Sequence, residues 1–175
     1  MAGETDPAEG WLGLGACLRT PVPVLEVSGS SFSNEATLIA IVNTTASLFS
    51  SPSEAQASLV ALDDVRPGGV ANTCFTRYVG ESFSDDNGQA FLTEIKVVED
   101  PIPGMPNRNI SMYIDVTDGS GSASLVVQMS VHVQGSASLL LATTATYEAL
   151  VAYQEQLNEV SVAVFSRLIS AYATR

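Results

Sequence analysis

The stretch "SLVVQMSVHVQGSASLLLATTA", Ser124 to Ala145, decides how the rest of the chain is read. Up to Gln134 its residues alternate, with Val127, Met129, Val131 and Val133 pointing one way and Gln128, Ser130, His132 and Gln134 the other. A period of two belongs to a strand with one apolar face and not to a helix. Gly135-Ser136 then supplies turn chemistry, and "ASLLLATTA" returns as a second strand, so the stretch reads as an antiparallel hairpin. Upstream, "NISMYIDVT" repeats the scheme, with Ile110, Met112, Ile114 and Val116 on one side and Ser111, Tyr113, Asp115 and Thr117 on the other. "DGSGS" is the turn between the two. "QAFLTEIKVVE" joins this meander ahead of the proline-rich "PIPGMP".

Working outward, "EATLIAIVNTTASLFS", Glu35 to Ser50, is a nearly continuous apolar run that predicts a strand buried on most of both faces. "PVPVLEVSG" predicts an edge strand, because its prolines cannot donate to a central ladder. Ser51-Pro52-Ser53-Glu54 places a hydroxyl at the N-cap, proline at the first helical position and glutamate at the third, the signature of a capped helix. That helix carries Ala55, Leu59 and Leu62 inward and must stop before Pro67-Gly68-Gly69. A second, shorter helix is expected in "VANTCFTRYVG", with Val70, Cys74 and Tyr78 on its inner side. From Thr146 to Arg175 the chain predicts a long amphipathic helix. Leu150, Tyr153, Leu157, Val160, Val164, Leu168 and Tyr172 face the sheet, opposite Glu148, Glu155, Glu159, Ser166 and Ser170. It is expected to cover the apolar sheet face, which would be unstable uncovered. The fold class is therefore α+β: an antiparallel sheet with helices packed on one face and a long C-terminal helix. Residues 1–10 read as a disordered acidic tail and residues 11–175 as a single domain, a size that buries roughly 70% of its unfolded surface.

Hydrophobic residues make up 46% and charged residues 15%, the balance of a folded globular chain. Seven Lys+Arg against 19 Asp+Glu give a net charge of −12, which repels phosphate backbones, so nucleic acid is not an expected partner. No apolar run is long enough to span a membrane. Leu14-Gly15-Ala16-Cys17 has the residue types of a lipoprotein cleavage box, but "MAGETDPAEGWLGLGA" lacks an apolar run before the cysteine, so Cys17 is not expected to carry a lipid. Two cysteines, Cys17 and Cys74, allow one bridge or two buried thiols, and composition leaves that open.

No catalytic constellation is legible, and the chain is not expected to be an enzyme. His132 is the sole histidine, expected as a solvated or hydrogen-bonded imidazole on a polar strand face. There is no G-x-S-x-G elbow or S-x-x-K pair to supply a nucleophile. Zinc spacing is absent, and Asp85-Asp86-Asn87-Gly88 and Asp115 to Gly119 read as turns because they lack a calcium loop's alternating ligands. Neither metal nor cofactor is expected. One feature is more specific. With a tight turn at Gly135-Ser136, Leu139 and Leu141 share the sheet face of Tyr113, Gln128, Ser130 and His132. Such a mixture of apolar and hydrogen-bonding groups suits a ligand groove, and equally a face half covered by the N-terminal segment and Trp11.

Taken in order, the early "ACL", the capped "LFSSPSEAQASLVAL", the helical "TCF", then "VVQMSVHVQGSASLLLAT" and "NEVSVAVFSRLISA" resemble actinobacterial envelope domains. The chain is similar to PknH-type extracellular sensor domains and, more distantly, to LpqN-like lipoproteins of PsbP-like fold. The resemblance implies an extracytoplasmic domain, secreted or membrane-tethered, with any signal or membrane helix outside these residues. It also implies an oxidised Cys17–Cys74 pair, and a binding or sensing role toward a small-molecule, lipid or protein partner at the cell envelope. PknH-type domains are expected to carry two disulfides where this chain can form one, so their cleft does not transfer. The alternative is a structural or interaction module assembling through the C-terminal helix or an edge strand.

Overall fold

The structure, a computed structural model, describes residues 14–29, 32–34, 39–84, 88–99, 107–118 and 121–173. In chain order these form α1 (residues 14–18), β1 (Leu25–Ser28), β2 (Phe32–Asn34), β3 (Ile39–Leu48), α2 (Pro52–Val60), α3 (Val70–Phe83) and β4 (Gly88–Glu99). There follow β5 (Asn107–Asp118), β6 (Gly121–Gln134), β7 (Ala137–Thr146), α4 (Tyr147–Ala152) and α5 (Gln154–Ala173). The expected tail, residues 1–10, and Trp11 lie outside the described residues.

The hairpin expected between Ser124 and Ala145 forms and sits in the middle of the sheet, whose order is β1-β3-β7-β6-β5-β4, with β2 also pairing with β3. Every pairing is antiparallel. Gln134 pairs with Ala137 across the two-residue turn, where Gly135 has φ of 56°, a left-handed value that glycine adopts without strain. β1 lies on the sheet edge as expected, with Leu25 to Ser28 running along Leu48 to Thr45 and both prolines, Pro21 and Pro23, ahead of the paired residues.

Helices cover both faces of this sheet. On the apolar face, Ile110, Met112, Ile114, Val127, Met129, Val131 and Val133 pack against Leu14 and Leu18 of α1, Ala55 and Leu59 of α2, and Cys74, Phe75 and Val79 of α3. On the opposite face, Val126 and Ala145 pack against Ala149 and Leu150 of α4 and Leu157 of α5. The C-terminal helix thus covers the mixed face and not the apolar one. The apolar face is already filled by α1, α2 and α3, and the alternate residues still present enough hydrocarbon to seat a second layer.

Local signals explain α2 and part of α3. Ser51 Oγ accepts from Glu54 N at 3.3 Å, and the Glu54 carboxylate accepts from Ser50 N at 3.0 Å, one residue short of the reciprocal box. α3 is longer than α2, 14 residues against nine, and its inner face is Ala71, Cys74, Phe75 and Val79. Val70, expected inside, is 51% exposed: it is the first residue of α3, and the buried stripe is centred between Cys74 and Phe75 instead of on Cys74 alone. The N-cap of α3 is Gly69, which offers no side chain; Asp64 supplies the cap, accepting from Val70 N at 3.1 Å. A Cβ at Gly69 would collide with Asp64, which is why glycine stands there. The Val70 amide, and secondarily Arg66, hold the Asp64 carboxyl below the usual carboxylate range.

Two ties fasten this layer. The Cys17–Cys74 disulfide is formed, joining α1 to α3 across 57 residues, a loop whose closure stabilises the fold by roughly 4 kcal/mol in chain-entropy terms. Arg108 of β5 holds Asp63, in the α2–α3 connection, through Nε–Oδ1 at 2.6 Å and Nη2–Oδ2 at 2.9 Å. Arg108 is buried while Asp63 is partly solvated. Asp63→Ala therefore strands a buried guanidinium and should cost about 2 to 4 kcal/mol in urea denaturation, short of the cost of breaking a fully buried pair.

Asp64 makes a pH-dependent prediction. Its folded pKa lies below the unfolded value, so its capping contribution is present above the unfolded carboxylate range and is lost as pH falls through the folded pKa. Amide exchange at Val70 to Thr73, corrected for its intrinsic pH dependence, should show protection falling on acidification. Asp64→Asn should remove that pH dependence.

Candidate functional site

Register decides what meets on the mixed face. His132 lies opposite Asn107 and Leu139, Ser130 opposite Asn109 and Leu141, Gln128 opposite Ser111 and Thr143, and Val126 opposite Tyr113 and Ala145. Directly paired residues share a face. Tyr113, Gln128, Ser130, His132, Leu139 and Leu141 are therefore brought together as the alternation predicts.

What covers them was not foreseen. α4 and α5 lie across β6 and β7, and the ring of Phe165 stands 5.2 Å from the His132 imidazole. His132 is 0% exposed and lies against that ring, so of the two expected states, solvated or hydrogen-bonded, burial excludes the solvated one. Leu139 and Leu141 are buried as well, while Tyr113, Gln128 and Ser130 stay half-buried.

The inward stripe of α5 differs from the expected one for a physical reason. The helix breaks at Tyr153, with φ of −114° and ψ of 15°, so the period restarts there. After the break, Leu157 and Phe165 are buried and Val160 is 44% exposed. Phe165 is the largest apolar side chain between Leu157 and Leu168; centring the stripe on it, instead of on Val160, would have found the contact. Toward β4, the rings of Tyr113 and Tyr147 are 6.3 Å apart, and Lys96 Nζ sits 4.6 Å from the Tyr113 ring centroid. Glu94 accepts from that ammonium at 3.1 Å and holds its pKa above the usual lysine value.

Where α5 crosses the start of β5, the covering leaves a cavity of about 360 Å³, lined by Asn107, Asn109, Ser130, Gln154, Asn158 and Ser161, with Val162 and Phe165 beside them. Gln154 Nε2 donates to Asn158 Oδ1 at 3.0 Å. Asn109 Oδ1 is buried and accepts no hydrogen bond from a described protein group. Arg108 also borders the space, but its guanidinium is held by Asp63. The other lining groups are uncharged amides, hydroxyls and hydrocarbon. They can donate to and accept from an uncharged polar molecule, and none of them is a titratable acid or base of the kind proton transfer uses. Of the six expected residues, Ser130 is the one that lines this cavity. Asn107 and Asn109 were missed although they continue, two residues at a time, the face of Ser111 and Tyr113. Among the described residues, no group of three or more His, Cys, Asp or Glu side chains is placed to hold a metal ion.

No protein-family model matches the chain, and no curated protein matches it in sequence. Among solved structures it is similar to the cyanobacterial PsbP (CyanoP) of Synechocystis sp. PCC 6803, at 12% identity and a TM-score of 0.42, with 81% of each chain covered. It is also similar to PA94 of Pseudomonas aeruginosa, a protein of unknown function, at 10% identity and a TM-score of 0.33, covering 78% of this chain and 79% of that one. The first of these is a PsbP, the fold named in the more distant resemblance; neither shows a PknH-type or LpqN-like assignment. At these identities and scores neither likeness carries an argument about function.

Phe165→Ala should cost about 3 kcal/mol, the range for truncating a buried aromatic, and should open the mixed face. His132 is the sole histidine, so the absorbance of carbethoxylated imidazole after diethyl pyrocarbonate treatment reports on it alone: the wild-type imidazole should resist modification and that of the variant should react.

Proposed function

We propose that this chain is a non-enzymatic, extracytoplasmic binding domain, sensor-like in its use, of a bacterial envelope protein. The observation that carries the reading is the neutral cavity between β5, β6 and α5, where four amides and two hydroxyls converge beside a buried aromatic ring. Its ligand is a small uncharged polar molecule. The absence of catalysis is supported by the same lining, and by the burial of His132 under Phe165, out of reach of a substrate. The Cys17–Cys74 bridge supports an extracytoplasmic setting, secreted or membrane-tethered, because structural disulfides persist in oxidising compartments. No helix among the described residues is long and apolar enough to cross a membrane. The resemblance to PknH-type sensor domains and LpqN-like lipoproteins points the same way.

A second reading, assembly through an edge strand, is favoured by one observation: Val24, just before β1, and Leu25 and Val27 within it are 62%, 57% and 57% exposed at the rim of the sheet.

Both readings are tested in one NMR titration of the labelled, oxidised chain with neutral polyols and simple amides. Shifts confined to residues 107–109, 130 and 154–161, and lost in Asn109→Leu, are the expected result. Silence there with every neutral probe would overturn the cavity as a ligand site. Concentration-dependent broadening at residues 24–28, with a doubled mass by light scattering, would establish the edge-strand reading instead.

A further inference from the structure

A second cavity, of about 160 Å³, lies on the other side of the sheet, between α1, residues 20–23 and the ends of β3, β6 and β7. Its floor is apolar, formed by the buried side chains of Leu18, Phe49, Leu62, Val131 and Leu140. Dry apolar cavities of about 150 Å³ admit a single benzene ring. Two of the hydroxyls in its wall are engaged within the chain: Thr20 Oγ1 donates to Gly15 O at 3.2 Å and Ser58 Oγ to Ala55 O at 2.7 Å.

Glu26 differs from the rest of the lining. It stands on the edge strand β1, and one of its carboxylate oxygens accepts from the buried Ser47 hydroxyl at 3.0 Å. None of the ion pairs among the described residues includes it. A carboxylate oriented by a buried donor, at the lip of a hydrocarbon pocket, favours a cation whose remaining surface is apolar. The net charge of −12 reinforces that sign preference and opposes an anion at the same lip.

We propose that this cavity binds a primary amine bearing one aromatic ring or a short alkyl chain, with the ammonium donating to Glu26 and the apolar body against Leu18, Phe49 and Leu140. The site is separate from the neutral cavity under α5 and does not depend on it. α1 supplies Gly15, Ala16 and Leu18 to the wall, and the disulfide at Cys17 fastens α1 to α3, so the pocket belongs to the oxidised protein.

The test titrates the oxidised, isotopically labelled chain with 2-phenylethylamine, neutral 2-phenylethanol and anionic 3-phenylpropionate. The expected result is amide shifts at residues 15–20, 47–49 and 138–140, the amine binding about tenfold more tightly than the alcohol, as a charge-assisted hydrogen bond allows. The anion should bind least. Glu26→Gln should abolish the amine's advantage while leaving the alcohol's affinity unchanged, which also shows that the pocket is still formed. Equal affinities for amine and alcohol in the wild-type chain, an amine preference that survives Glu26→Gln, or no shifts around the cavity with any probe would each overturn the proposal.

Discussion

Strand β6 meets two demands that constrain everything around it. Its backbone is hydrogen-bonded on both sides, to β5 from Asp118 through Asn107 and to β7 from Thr146 through Ala137. Its side chains also require cover on both faces, because Val127, Met129, Val131 and Val133 point one way and Val126 and His132 the other. A slip of one residue would exchange the two sets and leave the hydrocarbon of α1 to α3 against Ser130 and His132. The tight turn at Gly135-Ser136 fixes the register with β7, and so decides that His132 meets Leu139 and that Ser130 meets Leu141.

The two layers that answer these demands are fastened differently. On the apolar face the disulfide joins α1 to α3, and the Arg108–Asp63 pair ties the α2–α3 connection to β5. On the mixed face, α4 and α5 are held through the buried Ala149, Leu150, Leu157 and Phe165, with a Thr146 cap at the start of α4. No covalent link or ion pair to the sheet adds to that among the described residues. Local stability follows such differences, so opening of the molecule is expected to begin at α5. The neutral cavity lies under this more loosely fastened layer, where a ligand could enter by displacing packing instead of breaking a tie.

Much of the architecture was legible because its signals are local. Alternation in β5 and β6 is a property of consecutive residues, and the Ser51–Glu54 box announces α2 within four. The sheet face that the C-terminal helix covers is not local: both faces carry hydrocarbon, and the choice rests on α1 to α3 having filled one of them. The helix rotation was ambiguous for a similar reason, since Val160 and Phe165 both fit an apolar stripe and only the contact with His132 separates them. Two cysteines could not declare their pairing from spacing; the resemblance implied it and the structure contains it. Of the neutral cavity, Ser130 was found and the asparagines were not, because Asn107 and Asn158 come from elements whose meeting depends on how α5 crosses the sheet.

The charge of the chain connects the two cavities. With 19 acidic residues against seven basic ones, the long-range field disfavours anions at either mouth. Short-range chemistry then divides the remaining ligands. Under α5 the lining of amides and hydroxyls gives an ion no countercharge, since Arg108 is committed to Asp63 across the sheet, and desolvating an ion there would go uncompensated. Beside α1 the hydrocarbon floor provides few partners for a polar body, while Glu26 provides one strong partner for a cationic head. β6 is the strand that lines both cavities, Ser130 the one under α5 and Val131 the one beside α1, so its register keeps a lining of amides and hydroxyls on one face of the sheet and a hydrocarbon lining with one carboxylate on the other.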